Sequence, residues 1–517
     1  MESSRKLEDA SSRDNIPILY LGGEEKVVIR SKTADAFNRV LSSTNLAQFP
    51  DKFLPSPKLP KKTKQVVLFE DGYRYLVLCL GWMSLAAIAA NMNLYNMTKL
   101  CMFKEENYTS VNYFTEVEHN KLIMAAAIGT AVGTAPFSWL FTRYKAKYPF
   151  FAAGVLSAGT TFLIPAAVQQ GFTSTWLLRF LQGTAYAADF AAMGVLCAIW
   201  SPLSQAALFI SMLTCYNSLA VLFSSPVAGL LCRSSFGWDT AYYTHVMVTV
   251  VLLMTWLLFY GDSPISSRFV SQNEFNKIQK NKSLAHKTMN SKVPYKKIIR
   301  NKLVWVIWFN AFMDIFSGIF ALTYEPTYLS KVLHFDVTQI GFLAIVGPMV
   351  HIPLKFVFGT LSDRIKFISE RRKMIMFNSF AVFGPSLSYL LLAFAPTDYP
   401  LLSILAFMAN GIFFSTAGGG FYKCATLCFR QYAHVVIASM QFTKALTMFL
   451  GPVLVNVFVV NIGNQYEWRN LFLLVSISLA TANLLFAFNA TDQPADFTRT
   501  EIVKNIDIKA PNKVIPM

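Results

Sequence analysis

Charge is scarce in this chain. Asp, Glu, Lys and Arg make up 15% of its 517 residues, against about 25% in a typical soluble domain. With 54% hydrophobic residues and a mean hydropathy of +0.40, an ordinary water-soluble fold is excluded. Cysteine is sparse too. The seven are scattered, without the spacing of a metal site or a disulfide framework. Neither H-E-x-x-H nor G-x-S-x-G occurs, nor any convincing catalytic set, which argues against an intramembrane enzyme. A repeated filter-like loop or a ring of charges is missing, which argues against a channel. The first 70 residues lack an apolar h-region, so the first apolar helix is expected to target the chain itself. No lipidation motif marks the tails. No cofactor and no metal are expected.

What the sequence does contain is about twelve stretches long enough to cross a bilayer as helices, each needing ~20 residues. Val248–Leu258, VTVVLLMTWLL, is the charge-free centre of the sixth. The helices are expected at 75–97, 121–142, 149–168, 174–200, 205–231, 239–260, 303–325, 337–361, 374–394, 401–429, 433–460 and 469–488. The fold class is therefore an all-α membrane protein of two six-helix halves, 73–261 and 303–490. Residues 1–72 read as a mostly disordered N-terminal tail, 262–302 as a basic linker and 491–517 as a C-terminal tail. The net charge of +17 would suit nucleic acid, but its distribution does not. Lys and Arg gather in KIQKNK, KVPYKKIIRNK, DRIKFISERRK and the tails, all on one face of the alternating topology. That is the positive-inside pattern. It puts both termini in the cytoplasm and makes the partner a lipid bilayer, not nucleic acid. Plasma membrane and endolysosomal or vesicular membranes stay open.

On the opposite face the connection Asn96–Lys121 is long and carries the sequon Asn107-Tyr108-Thr109, so Asn107 is expected to be glycosylated. Cys101 and Cys232 fall near the same face. Two unrelated thiols are expected there, with a bridge as the alternative. The halves show a weak likeness. Ser211-Met212 precedes Ser224-Ser225-Pro226-Val227 in helix 5, and Ser439-Met440 precedes Gly451-Pro452-Val453 in helix 11. Repeated six-helix halves are typical of secondary transporters, with substrate bound near the midplane between them.

Gly359-Thr360-Leu361-Ser362-Asp363-Arg364 ends helix 8, and Arg143 ends helix 2. Further along the chain come Arg179-Phe180-Leu181-Gln182-Gly183, Trp200-Ser201-Pro202, Ser225-Pro226-Val227-Ala228-Gly229, Gly237-Trp238, Asp262-Ser263-Pro264, Ser271-x-x-Glu274 and Glu325-Pro326-Thr327-Tyr328-Leu329. In that order and spacing they resemble the anion:cation symporter family of the major facilitator superfamily. That group includes the vesicular glutamate transporters, sialin and the type I sodium–phosphate cotransporters. The resemblance spans roughly residues 75–490. It implies transport of organic anions or phosphate, driven by a proton or sodium gradient or by membrane potential. It also implies that Gly359, Asp363, Arg364 and Arg143 latch the cytoplasmic face. The chain departs from the family where chemistry matters. Asn91 stands where the family often has Arg in helix 1, Tyr186 where helix 4 often has Glu, and Asp314 where vesicular glutamate transporters have Arg. The family's Asn and Asp of helix 10 are replaced within Phe421–Leu427. Arg179 alone survives from the usual anion-binding set, so no named substrate is carried over.

Intramembrane ionisable groups are expensive and are functional candidates by default. Asp314, mid-helix 7, must be protonated, paired or hydrated. It is the first candidate for proton or cation coupling, against a neutral Asp bonded between helices. Glu325 lies about three turns outward, as an outer gate or a solvated helix end. Arg179 suits a carboxylate or phosphate, or snorkels to the interface. Tyr186 follows two turns on, and Asp189 could receive a proton or pair with a cation; a structural pair with Lys423 is the competing reading. Lys423, beside Tyr422, could balance Asp314 or Asp189, or snorkel to the cytoplasm. Asn91 and Asn93 offer neutral hydrogen bonds to substrate, or plain helix–helix bonds. Lys355, Lys444 and His351 rank second, as structural groups.

These residues support a secondary transporter of a small anionic or zwitterionic organic solute. Coupling would be to a proton or sodium, and access would alternate by rocking of the halves. The competing class is a transport-silent receptor or scaffold on a transporter fold, motivated by the missing family charges.

Overall fold

The computed structural model describes residues 18–21, 25–28, 71–106, 109–202, 205–265, 267, 269–280, 294–365, 367–429, 432, 436–437 and 439–498. The chain divides into two compact units. The smaller comprises residues 1–57, 281–291 and 502–517 and contains an antiparallel hairpin of Ile18–Leu21 with Glu25–Val28. The larger, residues 58–280 and 292–501, holds the membrane domain.

Among the described residues of that domain, twelve helices are long and apolar enough to span a bilayer. We label them α1 (Tyr73–Thr98), α2 (Glu116–Tyr144), α3 (Lys147–Gln170), α4 (Phe172–Trp200), α5 (Leu208–Arg233), α6 (Asp239–Phe259), α7 (Lys302–Lys331), α8 (Val337–Phe358), α9 (Glu370–Phe394), α10 (Pro400–Phe429), α11 (Met440–Phe458) and α12 (Gln465–Asn489). The all-α, twelve-span expectation holds. Helix is the available answer because each backbone polar group must be satisfied without water. Pro136, Pro165, Pro226, Pro326 and Pro452 all sit inside helices. Hydroxyls also return bonds to the preceding turn, as Thr130 does to the Ala126 carbonyl at 2.9 Å. One end of the bundle carries the 98–116 connection; the other carries the linker between α6 and α7.

Close helix approach is bought with glycine. A Cβ on Gly183 of α4 would lie 1.9 Å from the Ala126 carbonyl oxygen of α2. At the linker end, Ser271 caps Gln272–Gln279 through the Glu274 N–H at 3.0 Å. Glu274 in turn accepts the Arg74 N–H at 2.8 Å. The Ser271-x-x-Glu274 motif thus docks the start of the linker against α1. Asp262 caps the start of α3 by accepting the N–H groups of Ala146 and Lys147 at 3.0 and 2.9 Å. At the opposite end Cys101 and Cys232 form a disulfide, which corrects the expectation of two separate thiols.

Candidate functional site

Asp189 sits where α4 breaks. The helix from Phe172 stops at Tyr186, Ala187 and Ala188 turn, and Asp189 starts a second segment to Trp200. Interrupted helices expose backbone groups at depth, which is where transporters place binding sites. Gln441 of α11 reaches across from the second half. Its Nε2 donates to Asp189 Oδ1 at 3.0 Å. Lys444, three residues further along α11, forms a salt bridge with Asp189 Oδ2 and donates to the Tyr216 hydroxyl of α5 at 3.0 Å. Tyr216 donates in turn to Asp189 Oδ2. The Lys444 ammonium lies 3.6 Å from the Tyr186 ring centre, 5.4 Å from that of Phe190 and 5.6 Å from that of Tyr216. Asp189 is 3% exposed and Lys444 2%. Two opposite charges from different halves are therefore sealed together in an aromatic setting.

This partnership corrects the sequence reading. Lys423, read as balancing Asp189 or Asp314 or as snorkelling to the cytoplasm, bonds Glu370 at the start of α9 at 3.2 Å. Lys444 had ranked as structural. Tyr216, Phe190 and Gln441 carried no signal in the sequence, because nothing along the chain shows which turn of α11 meets the break in α4. The one available hint was a lone lysine in the otherwise uncharged run Met440–Phe458.

A second group lies within the second half. Asp314 of α7 is 1% exposed, and its Oδ1 has no hydrogen-bond donor among the described residues. Lys355 of α8 and Tyr422 of α10 interact with it electrostatically. Lys355 stands 5.8 Å from the centre of the Phe414 ring. His351, one turn earlier, stacks on that same ring and bonds the Gly411 carbonyl at 3.0 Å. Tyr422 leans on Phe421, with ring centres 4.4 Å apart.

Arg179 and Asn91 belong to a third group, inside the first half. Arg179 Nη1 donates to the Met92 carbonyl at 3.1 Å and to the Gln182 side chain. The guanidinium lies 4.7 Å from the centre of the Tyr95 ring, and Nε has no acceptor among the described residues. Arg179 is 1% exposed, so it does not snorkel. Asn91 donates to Ser157 at 3.0 Å and Thr249 at 3.1 Å. Helix–helix bonding, weighed as its alternative role, is what its side chain does. Neighbouring Asn93 is half-buried, and its Nδ2 has no acceptor among the described residues. Tyr186 reaches the Asp189 cluster from α4: its hydroxyl lies 3.3 Å from that of Tyr216 and donates to Asn217 at 2.9 Å.

The 98–116 end is fastened between the halves. Glu116 of α2 meets Lys331 of α7 at 3.7 Å, and Arg233 meets Asp336 at 2.9 Å. Tyr324 of α7 donates to the Asn120 side-chain oxygen at 2.9 Å, and Asn120 donates to Asn456 of α11 at 2.6 Å. Lys99, just past α1, lies 5.3 Å from the centre of the Tyr324 ring. Thr338 donates to the Gly229 carbonyl at 3.0 Å. A Cβ on Gly341 would sit 2.7 Å from the Ser225 carbonyl oxygen, so α5 and α8 touch backbone to backbone. Glu325, read as an outer gate or a solvated helix end, is half-buried; its neighbour Tyr324 bonds Asn120 of the first half. At the linker end Arg143 is exposed. The side chains of its expected latch partners Asp363 and Arg364 lie outside the described residues, as does Asn107; Gly359 is helical.

The Major Facilitator Superfamily model matches residues 75–452 and again 310–505. Sodium-dependent phosphate transport protein 1 of Mus musculus is 23% identical over 469 residues, covering 85% of this chain and 97% of its own. The Rattus norvegicus protein of that name is 24% identical over 392 residues, 73% of this chain and 82% of its own. Vesicular glutamate transporter 2.2 of Danio rerio is 23% identical over 356 residues, 68% of this chain and 60% of its own. Among solved structures, a bacterial homolog of the human lysosomal transporter Spinster, inward-facing and occupied, superposes with a TM-score of 0.59 at 11% identity, over 83% of this chain and 100% of its own. A D-xylose–proton symporter gives 0.57 at 14%, over 82% and 100%. At such identity the structures speak to the fold alone.

Proposed function

This chain belongs to the Major Facilitator Superfamily, and from that premise we propose that it moves a small anionic or zwitterionic organic solute by alternating access. The observation that carries this reading is the Asp189–Lys444 salt bridge, buried at the contact of the two halves. A charge pair sealed at that depth is costly to desolvate, and it lies where the halves must part if a solute is to pass between them. Asp314 and Asp189 are the carboxyl groups proposed to take a coupling proton, with sodium as the alternative ion. A relative named for sodium dependence supports coupling to a cation.

The fastened 98–116 end faces the lumen or the cell exterior in this reading, and the basic linker and both termini face the cytoplasm. The Lys and Arg asymmetry supports this orientation. So does the Cys101–Cys232 disulfide, since disulfides persist in oxidising compartments.

Gradient-driven uptake into liposomes by the purified chain, with a solute panel and imposed proton or sodium gradients, tests the reading. Asp314→Asn is expected to abolish gradient-driven uptake and leave exchange measurable. Uptake by that variant that stays normal and pH-responsive removes Asp314 from the coupling role. Stabilisation by a solute with no flux under any gradient makes the protein a receptor instead.

A further inference from the structure

The surroundings of Lys444 describe a ligand site. Its ammonium is held by a carboxylate, Asp189, by a hydroxyl, Tyr216, at 3.0 Å, and by the rings of Tyr186, Phe190 and Tyr216 at 3.6, 5.4 and 5.6 Å. Aromatic faces around a desolvated cation, with one anion to balance it, are how proteins recognise ammonium ligands. Every one of these groups comes from the first half, on α4 and α5. The cation they hold comes from the second half, on α11.

We propose that Asp189, Tyr186, Phe190 and Tyr216 form an ammonium-binding box, that Lys444 fills it in the present state, and that the primary ammonium of a zwitterionic solute fills it when the halves part. The inference rests on the transporter reading above and narrows its solute class.

Charge balance selects the zwitterion. Parting the halves leaves Asp189 and Lys444 each without a counter-ion at a depth where unpaired charge is strongly disfavoured. A simple anion satisfies Lys444 and abandons Asp189. An amine satisfies Asp189 and abandons Lys444. A molecule carrying both groups satisfies both, with its ammonium in the box and its carboxylate on the freed lysine. A proton on Asp189 would also balance an anion, but it would give the three rings no cation to face. Gln441 fits the exchange as well: it holds Asp189 Oδ1 at 3.0 Å and so leaves with Lys444 on the same helix.

The test measures binding and liposome flux of ω-amino acids of two to six carbons on the full-length chain, beside unsubstituted carboxylates and primary amines of the same lengths. At least one ω-amino acid is expected to bind roughly tenfold or more tighter than its matched carboxylate. Lys444→Met is expected to reverse the order, gaining affinity for the matched amine and losing it for the amino acid. Phe190→Leu alters no charge and removes one ring, so it keeps the test open if Lys444→Met fails to fold. It is expected to weaken amino-acid binding about 3- to 10-fold and leave carboxylate binding unmoved. A carboxylate that binds as well as its amino acid, no binding by any amino acid, or amino-acid affinity indifferent to Phe190→Leu would overturn the box. Flux of a carboxylate alone sinks the box and keeps the transporter; amino-acid binding without flux does the reverse.

Discussion

Tyr324 and Asn120 lie 204 positions apart and are joined by a hydrogen bond of 2.9 Å, hydroxyl to side-chain oxygen, across the two halves. Asn120 passes the connection on to Asn456 at 2.6 Å. One asparagine thus ties α2 to both α7 and α11.

Removing that tie should loosen the 98–116 end. Asn120→Ala deletes two bonds, each worth about 0.5–1.5 kcal/mol net, so the closed-to-open ratio should fall by roughly 5- to 160-fold. Alkylation of a cysteine introduced at Leu329, buried at this end against residues of the first half, in the presence and absence of Asn120→Ala checks this. Equal labelling rates would mean that the bonds do not hold the end shut. Gly341→Leu should act in the same direction, because its side chain would strike the Ser225 backbone.

The buried pair should behave asymmetrically. Asp189→Asn alone leaves Lys444 charged and unpaired, and breaking one side of such a pair costs about 3–5 kcal/mol. Replacing both, as Asp189→Asn with Lys444→Met, should recover much of that loss. Thermal denaturation of the single and double variants in detergent decides it. A double variant that loses as much stability as the two single variants added together would show that the two residues are not energetically coupled.

Lys99 gives a pH signature. Burial pulls its ammonium down to about 8, partly offset by Glu116. A lysine depressed in the folded state binds fewer protons there than in the unfolded chain between about 8 and ~10.4. Stability contributed through this group should therefore rise with pH across that window and be flat below it. Melting temperatures from pH 7.5 to 10 for the native chain and Lys99→Met should diverge in slope, the native chain gaining more. Parallel curves would place Lys99 in water in solution.

Loss of the disulfide should lower stability without changing the cross-half bonds. It closes a span of 131 residues, and removing such a bridge typically costs about 2–4 kcal/mol. Cys101→Ser, measured by thermal denaturation beside the reduced native chain, checks it. Identical melting points with and without reductant would argue against the bridge.

Much of this architecture was legible from sequence because the bilayer imposes a length and a polarity on every spanning segment. The weaker points have physical causes. The break in α4 falls at Ala187-Ala188, and alanine is the strongest helix former, so no local propensity marked it. The interruption is maintained by partners on α5 and α11, which only folding brings near. Asp189 was visible as an intramembrane carboxyl, whereas its pairing with Lys444 was not, because Lys423 on α10 and Lys444 on α11 share the same chemistry and only the packing of the helices decides which one meets it. For Asn91 the sequence left substrate contact and helix–helix bonding open, and Ser157 and Thr249 take its donors. Arg179 was found, but its engagement with the Met92 carbonyl and the Tyr95 ring depends on α1 lying against α4.

The Cys101–Cys232 bridge has one more implication. Cys101 follows α1 and Cys232 lies near the end of α5, so the covalent staple sits wholly within the first six-helix half. The alternating access proposed above would not stretch it. An oxidant or reductant acting there would change how long the protein survives, not how fast it turns over.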